Sequence, residues 1–338
     1  MSFIHGGQLE RIKQSYPDQT LPWIDLSTGI SPFTYPVDIS MQAHFEELPQ
    51  QYTQMTKAAK AYYGSDKTIV TPGSMWAIQT IPFIRRTLMP TDARPVLLPK
   101  QGFNEHAKAW RSWGFNVEVY DALPSVEQLK NVQACVVINP NNPTGCLCDR
   151  QQLQSVHETL VRHDAWLIID EAFLDINPEM SLANQANKKG LLVLKSFGKY
   201  FGLPGIRVGA LIADDDVQDC AQRLLNQWSI HSAAQAIVTK AWGDRQWQVN
   251  ANRNIKECSN RLKELLSRLG FKVEGTYFFQ TFMTDQAIEL YQYLLRQGIY
   301  VRLLDDETGI RIGLPKHEYH WQRLEKALSL FFKCEVTT

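Results

Sequence analysis

The chain has 338 residues, 44% of them hydrophobic, enough to bury a sizeable core in one or two domains. Lysine plus arginine and aspartate plus glutamate balance at 35 each, which argues against a global field for nucleic acid or an anionic membrane and leaves room for a local basic pocket. Six cysteines are too sparse for a disulfide scaffold, and the Cys146-x-Cys148 spacing suits neither a zinc knuckle nor a redox pair, so reduced thiols and no metal site are expected. The opening residues lack a basic region followed by an apolar run, and no apolar stretch reaches the roughly 18 residues of a membrane span. A cytoplasmic location is the expectation.

Along the chain, Thr71-Pro-Gly-Ser-Met-Trp reads as a turn opening a helix, with Gly73 at the turn. Short apolar runs at 94–99, 116–120, 134–139, 166–170, 191–194 and 207–213 alternate with amphipathic stretches, including a crossover helix over 151–163. That alternation predicts an α/β fold with a mostly parallel central sheet. From about residue 217 the pattern changes to long helices and then to candidate strands at 271–274, 277–283, 299–302 and 309–313. The expected organisation is an N-terminal arm (1–25) packing on a small domain, a large domain (26–225) and a small α+β domain (226–338).

Chemistry concentrates in Leu194-Lys-Ser-Phe-Gly-Lys-Tyr-Phe-Gly-Leu-Pro-Gly-Ile-Arg-Val-Gly209, which sets Ser196, Lys199 and Arg207 within about one loop. Asp170 ends an apolar strand 29 residues before Lys199, where an unpaired carboxylate would be costly and where open α/β sheets bind ligands. Capping of a following helix explains Asp170 equally well on its own. Lys199 lies among aromatic and glycine residues, where desolvation lowers an amine's pKa and favours Schiff-base chemistry. Lys195, its rival, falls inside the strand. Ser196 and Arg207 suit one oxyanion, and Gly73, Ser74 and Met75 would add backbone amides at a helix N-terminus. Asn139-Pro-Asn-Asn-Pro-Thr-Gly145 is a rigid turn after a strand that offers the amide of Asn142. A hydroxyl, an amine, a guanidinium and a buried carboxylate match a cofactor carrying an aldehyde, a phosphate and a basic ring nitrogen: pyridoxal 5'-phosphate.

Together these motifs resemble the fold-type-I pyridoxal-phosphate enzymes of the class I/II aminotransferase family over nearly the whole chain. The resemblance implies an aspartate aminotransferase-like fold, a homodimer with a shared active site, and cofactor attachment at Lys199. It implies Asp170 on the ring nitrogen, Asn142 on the ring oxygen, and Ser196 and Arg207 on the phosphate beside the Gly73 turn. Phe103, in Pro99-Lys-Gln-Gly-Phe-Asn-Glu105, matches the aromatic that stacks on the ring. Arg311 matches the arginine that grips a substrate α-carboxylate, Asn142 would donate to the same carboxylate, and Tyr52 is a candidate for reaching the partner's phosphate site.

Many family members have tyrosine three residues after the aspartate, whereas this chain has Phe173. His5-Gly-Gly-Gln8, Pro22-Trp-Ile-Asp-Leu-Ser-Thr-Gly-Ile-Ser-Pro32, Asp170-Glu-Ala-Phe173 and Leu304-Asp-Asp-Glu-Thr-Gly-Ile-Arg311 resemble the cobalamin-pathway threonine-phosphate decarboxylases. That narrower resemblance implies a phosphorylated amino-acid substrate whose phosphate is bound partly by His5. Histidinol-phosphate aminotransferases are the nearest alternative. A non-catalytic regulator would carry an added DNA-binding domain, and a nucleotide-binding α/β protein would carry a Gly-x-Gly-x-x-Gly or Walker-type loop, neither of which is seen.

Overall fold

The structure is a computed structural model that describes residues 6–37, 46, 48–50 and 52–333. In chain order it runs α1 (Leu9–Ser15), β1 (Ile24–Asp25), α2 (Tyr52–Tyr63), β2 (Thr68–Thr71), α3 (Ser74–Leu88), β3 (Val96–Pro99), α4 (Glu105–Ser112) and β4 (Val117–Tyr120). Then come α5 (Val126–Lys130), β5 (Ala134–Ile138), α6 (Arg150–Val161), β6 (Trp166–Asp170), β7 (Leu191–Ser196), α7 (Phe197–Tyr200), β8 (Gly209–Ile212), α8 (Asp215–Leu224), α9 (Ser232–Gly243) and α10 (Arg245–Arg268). The chain closes with β9 (Val273–Thr276), β10 (Phe279–Met283), α11 (Ala287–Arg296), β11 (Ile299–Tyr300), β12 (Arg302–Leu303), β13 (Gly309–Gly313) and α12 (Glu318–Lys333).

Two compact units divide these elements. The larger holds residues 35–142 and 146–248; the smaller holds 1–34, 143–145 and 249–338. The chain passes between the units at 34/35 and 248/249, and the short segment 143–145 belongs to the smaller one.

The larger unit is built on a seven-stranded sheet ordered β2-β8-β7-β6-β5-β3-β4, in which β8 runs antiparallel to both neighbours. The pairings among β7, β6, β5, β3 and β4 are parallel. All five residues of β5 and all five of β6 are buried, because helices cover both faces of such a sheet and leave no polar side. One face packs Ile78, Ile81 and Ile84 of α3 and Trp110 of α4 against Val136, Ile168 and Leu194. Helix α6 starts where expected because Asp149 accepts from the Gln152 amide while the Gln152 side chain returns to the Asp149 amide. Its buried Leu153, Val156 and Leu160 recur at helical spacing.

Strand β2 and the reversed direction of β8 are findings of the structure. Thr68-Ile-Val-Thr71 is only four residues long and leads straight into the turn before α3, so it carries no alternation of its own.

The smaller unit has an antiparallel sheet ordered β12-β13-β10-β9 and a parallel β1–β11 pair. The run read as one strand over 299–302 divides into β11 and β12, which join different sheets. Helix α1 buries Ile12 against Leu295 and Tyr300, with Tyr16, Trp23 and Tyr291 closing around them.

Candidate active site

Strand register gathers the sequence-predicted residues of the larger unit at one end of its sheet. Thr71 pairs with Gly209, Gly209 with Ser196, and Asp170 with both Leu194 and Ile138. This is the carboxyl end of the parallel strands, where each chain leaves the sheet and its backbone groups are free to meet a ligand.

The anion end of the site is assembled by close backbone approach. Gly73 precedes α3 with φ +84° and ψ 158°, a conformation open essentially to glycine alone. A Cβ there would sit 2.9 Å from Nη2 of Arg207, so the glycine leaves the space that the guanidinium occupies. Gly209 does the same for the backbone, since its Cβ would lie 2.7 Å from the Lys195 carbonyl oxygen and 2.8 Å from the Gly73 carbonyl carbon. Arg207 is itself left-handed at φ +53° and donates from Nη1 to the Pro204 carbonyl (3.0 Å), which fixes the guanidinium at the α3 N-terminus. Ser74 and Met75 supply the first amides of that 15-residue helix. Ser196 ends β7 one residue before α7 begins.

Asp170 is buried at 4% exposure, and its Oδ2 lies 2.9 Å from Nε2 of His106. Its Oδ1 accepts from the Ala172 amide at 3.1 Å. His106, on α4, escaped the sequence reading because a single histidine on a short helix carries no local signal. Phe103 precedes the same helix, its ring edge-on to His106 with centroids 6.4 Å apart, so one helix start delivers both. Asn142 sits in a loop pinned at its base. Asn139 donates to the Cys148 carbonyl (3.1 Å) and accepts from its amide (2.8 Å), and the Asn141 amide donates to the Cys146 carbonyl (2.8 Å).

Lys199 is half-buried on α7, with Nζ 5.5 Å from the centroid of the Phe173 ring. Lys195 is committed elsewhere. Its Nζ lies 2.6 Å from Oε2 of Glu171, and both residues are nearly inaccessible at 3% and 0% exposure. The hydroxyl of Tyr52 accepts from the Ile230 amide (3.2 Å) and donates to its carbonyl (3.4 Å) within the same chain.

In the smaller unit, Arg311 on β13 is buried at 4% exposure, stands 4.8 Å from the Phe279 ring centroid and donates to the Ser27 carbonyl. Burial, and then the charge of Arg302, push its pKa down to about 9. Arg302 stands directly opposite Arg311 across β12 and β13, and pairs with Asp305 at 3.0 Å. Like charges placed opposite on a sheet are destabilising unless an anion offsets them. Arg302 was missed because it falls at the junction between two strands that read as one. Ser27 is held by Asp25 through its hydroxyl (2.6 Å) and amide (2.9 Å), and takes the Gly7 amide on Oγ (2.8 Å). His5 lies outside the described residues.

The family model for class I and II aminotransferases matches residues 29–318. The chain belongs to that family. It is 35% identical to threonine-phosphate decarboxylase of Pseudomonas aeruginosa over 325 residues, covering 96% of each chain. It is 30% identical to threonine-phosphate decarboxylase of a Sinorhizobium species over 336 residues, covering 96% of this chain and 97% of that one. Among solved structures, histidinol-phosphate aminotransferase of Sinorhizobium meliloti in complex with pyridoxal-5'-phosphate superposes with a TM-score of 0.82 at 14% identity, covering 99% of this chain and 96% of that one. The aspartate aminotransferase fold expected from sequence is the observed one.

Pyridoxal 5'-phosphate is the cofactor of this enzyme family, and the residues present fit it. Gly73, Arg207 and the α3 amides form an anion cradle that a single Cβ would fill. Asp170, backed by His106, is a buried carboxylate suited to a protonated ring nitrogen. No helix among the described residues is long and apolar enough to cross a membrane.

Proposed function

We propose that the enzyme decarboxylates L-threonine O-3-phosphate to (R)-1-amino-2-propanol O-phosphate, in the pathway that builds cobalamin. The observation that carries the substrate class is the Arg302–Arg311 pair: two guanidinium groups in register on adjacent strands suit a molecule with both a carboxylate and a phosphate. The two decarboxylases at 35% and 30% identity support the reaction type. Histidinol phosphate, the substrate of the alternative aminotransferase reading, has a phosphate and no carboxylate, so it would engage only one of the two guanidinium groups.

In this reading Lys199 carries the cofactor, Asp170 holds a proton at the ring nitrogen, and Asn142 donates to the ring oxygen. Arg207, Ser196 and the Gly73–Met75 amides bind the phosphate, with Phe103 stacking on the ring. When bound, the cofactor supplies a conjugated ring that accepts the electron pair left on the substrate's α-carbon. His106 orients the Asp170 carboxylate through its contact with Oδ2. Arg311 binds the α-carboxylate while Arg302, with His5, binds the far phosphate. Anchoring both ends decides which bond at the α-carbon is set to break, so remote binding energy selects CO₂ loss over proton loss. Lys199 then delivers a proton to the carbon that has lost its carboxylate. Phe173 offers no hydroxyl to the ring oxygen, which leaves that role to Asn142. The enzyme acts as a cytoplasmic homodimer.

The test is incubation of purified holoenzyme with threonine phosphate alone. Release of CO₂ and the amino-propanol phosphate without any 2-oxo acid is expected. Absolute dependence on 2-oxoglutarate, with glutamate formed, would overturn the proposal.

A further inference from the structure

Arg311 can orient a carboxylate only if its own guanidinium is held in place. What holds it is a turn after β1 that the chemistry above does not use. Nη2 of Arg311 donates to the Ser27 carbonyl, 284 residues away in the chain, and both residues are buried. Ser27 is fixed in turn by Asp25, the last residue of β1. Oδ1 of Asp25 accepts from the Ser27 hydroxyl at 2.6 Å and from the Ser27 amide at 2.9 Å.

The backbone around Ser27 is pinned on both sides. The Leu26 amide donates to the Tyr300 carbonyl and the Leu26 carbonyl accepts from the Gly313 amide, each at 2.7 Å. The turn therefore bridges β11 to Gly313 at the end of β13, the strand that carries Arg311. A Cβ on Gly313 would overlap the Thr28 carbonyl oxygen, so only glycine allows this approach. From the N-terminal side, the Gly7 amide donates to Ser27 Oγ at 2.8 Å. A Cβ on Gly6 would overlap the Ser27 carbonyl oxygen and stand 2.9 Å from its carbon. The oxygen that takes Arg311 is thus covered by backbone, in a dry setting where a charge-assisted hydrogen bond is strong.

We propose that Asp25 is a positioning residue for carboxylate recognition, acting through Ser27 on Arg311. Asp25 fixes the Ser27 amide and hydroxyl, Ser27 presents its carbonyl to Nη2, and that bond sets the direction of the guanidinium. This rests on the reading that Arg311 binds the substrate α-carboxylate. The Asp25 oxygen matters by its place more than by its charge, because the two groups it accepts from are neutral donors. A turn that served only to close the chain after β1 would weaken every ligand alike.

The experiment measures two quantities in holoenzyme variants: kcat/KM for threonine phosphate by CO₂ release, and Ki for the amino-propanol phosphate product, which lacks the carboxylate. Asp25→Ala should lower kcat/KM about 10-fold or more and leave Ki within about twofold of wild type. Asp25→Asn keeps an oxygen for both donors and should stay within about threefold of wild type in kcat/KM. Asp25→Glu keeps the charge, displaces the oxygen and should lose as much as Asp25→Ala. Should Asp25→Ala fail to fold, the Asp25→Asn and Asp25→Glu pair carries the same contrast. Arg311→Gln is the reference, expected to lower kcat/KM and spare Ki. If it does so while Asp25→Ala matches wild type, or loses in kcat/KM and Ki equally, the positioning role is overturned and the carboxylate reading stands. If Arg311→Gln itself changes both equally or neither, the carboxylate reading falls and the inference with it.

Discussion

Gly73→Ala is the most searching single change in the anion cradle. At φ +84° and ψ 158° an alanine is strained whatever space surrounds it, at a cost of about 1–3 kcal/mol. The new methyl would also stand 2.9 Å from Nη2 and 3.4 Å from Cζ of Arg207. These atoms are the far end of a flexible side chain, so the fold can survive if the guanidinium swings away. The loss then falls on the anion: one charge-assisted hydrogen bond of about 1.5–3 kcal/mol, or about 10- to 150-fold in Kd. Titrating cofactor-stripped protein with pyridoxal 5'-phosphate and following absorbance measures this directly. Gly205→Ala, in the turn that leads into Arg207, is the control, because a Cβ there meets nothing within 4 Å. It should bind as wild type does. A Gly73→Ala protein that is folded and binds with wild-type affinity would refute the reasoning.

Arg302→Gln should lower kcat/KM for threonine phosphate by about 10- to 150-fold while changing turnover of unphosphorylated threonine little; equal losses on both would deny Arg302 its phosphate. Lys195→Met alone leaves Glu171 buried without its cation and should cost about 3–5 kcal/mol in urea unfolding, whereas adding Glu171→Gln should recover much of that. A double variant as unstable as the sum of its parts would show no coupling. Asp175→Asn gives a pH signature in stability. A carboxyl raised from 3.8 to about 6 on folding favours the native state at acid pH, and that advantage is lost as pH rises through 6. The variant should therefore gain up to about 3 kcal/mol over wild type above pH 7, shrinking towards pH 4; parallel pH–stability curves would contradict it.

The central sheet was legible because β5 and β6 are unbroken apolar runs bounded by polar turns, a pattern that survives in any context. The position of Asp170 followed from the same run, since a carboxylate closing an apolar strand must meet a partner. Its partner was not legible: His106 reaches Asp170 only because α4 and β6 pack together across 64 residues of sequence. The Arg302–Arg311 pairing likewise depends on antiparallel register, which the loop at 304–308 sets and composition does not reveal. Lys195 and Lys199 differ by four positions and look alike in sequence. The strand's alternation and the presence of Glu171 separate them, sending Lys195 into a buried ion pair and leaving Lys199 on α7. Gly73 was readable as a turn, but its reason was not: it makes room for a guanidinium 134 residues away.

The measurement that reaches the central claim most directly is the fate of the α-hydrogen when threonine phosphate turns over in deuterium oxide. Decarboxylation keeps the original α-hydrogen and replaces the carboxylate with one solvent deuteron, so mass spectrometry and NMR should find a singly deuterated CHD carbon beside the amine. Exchange of the α-hydrogen of unreacted substrate, with a keto product and the carboxylate retained, would contradict the account.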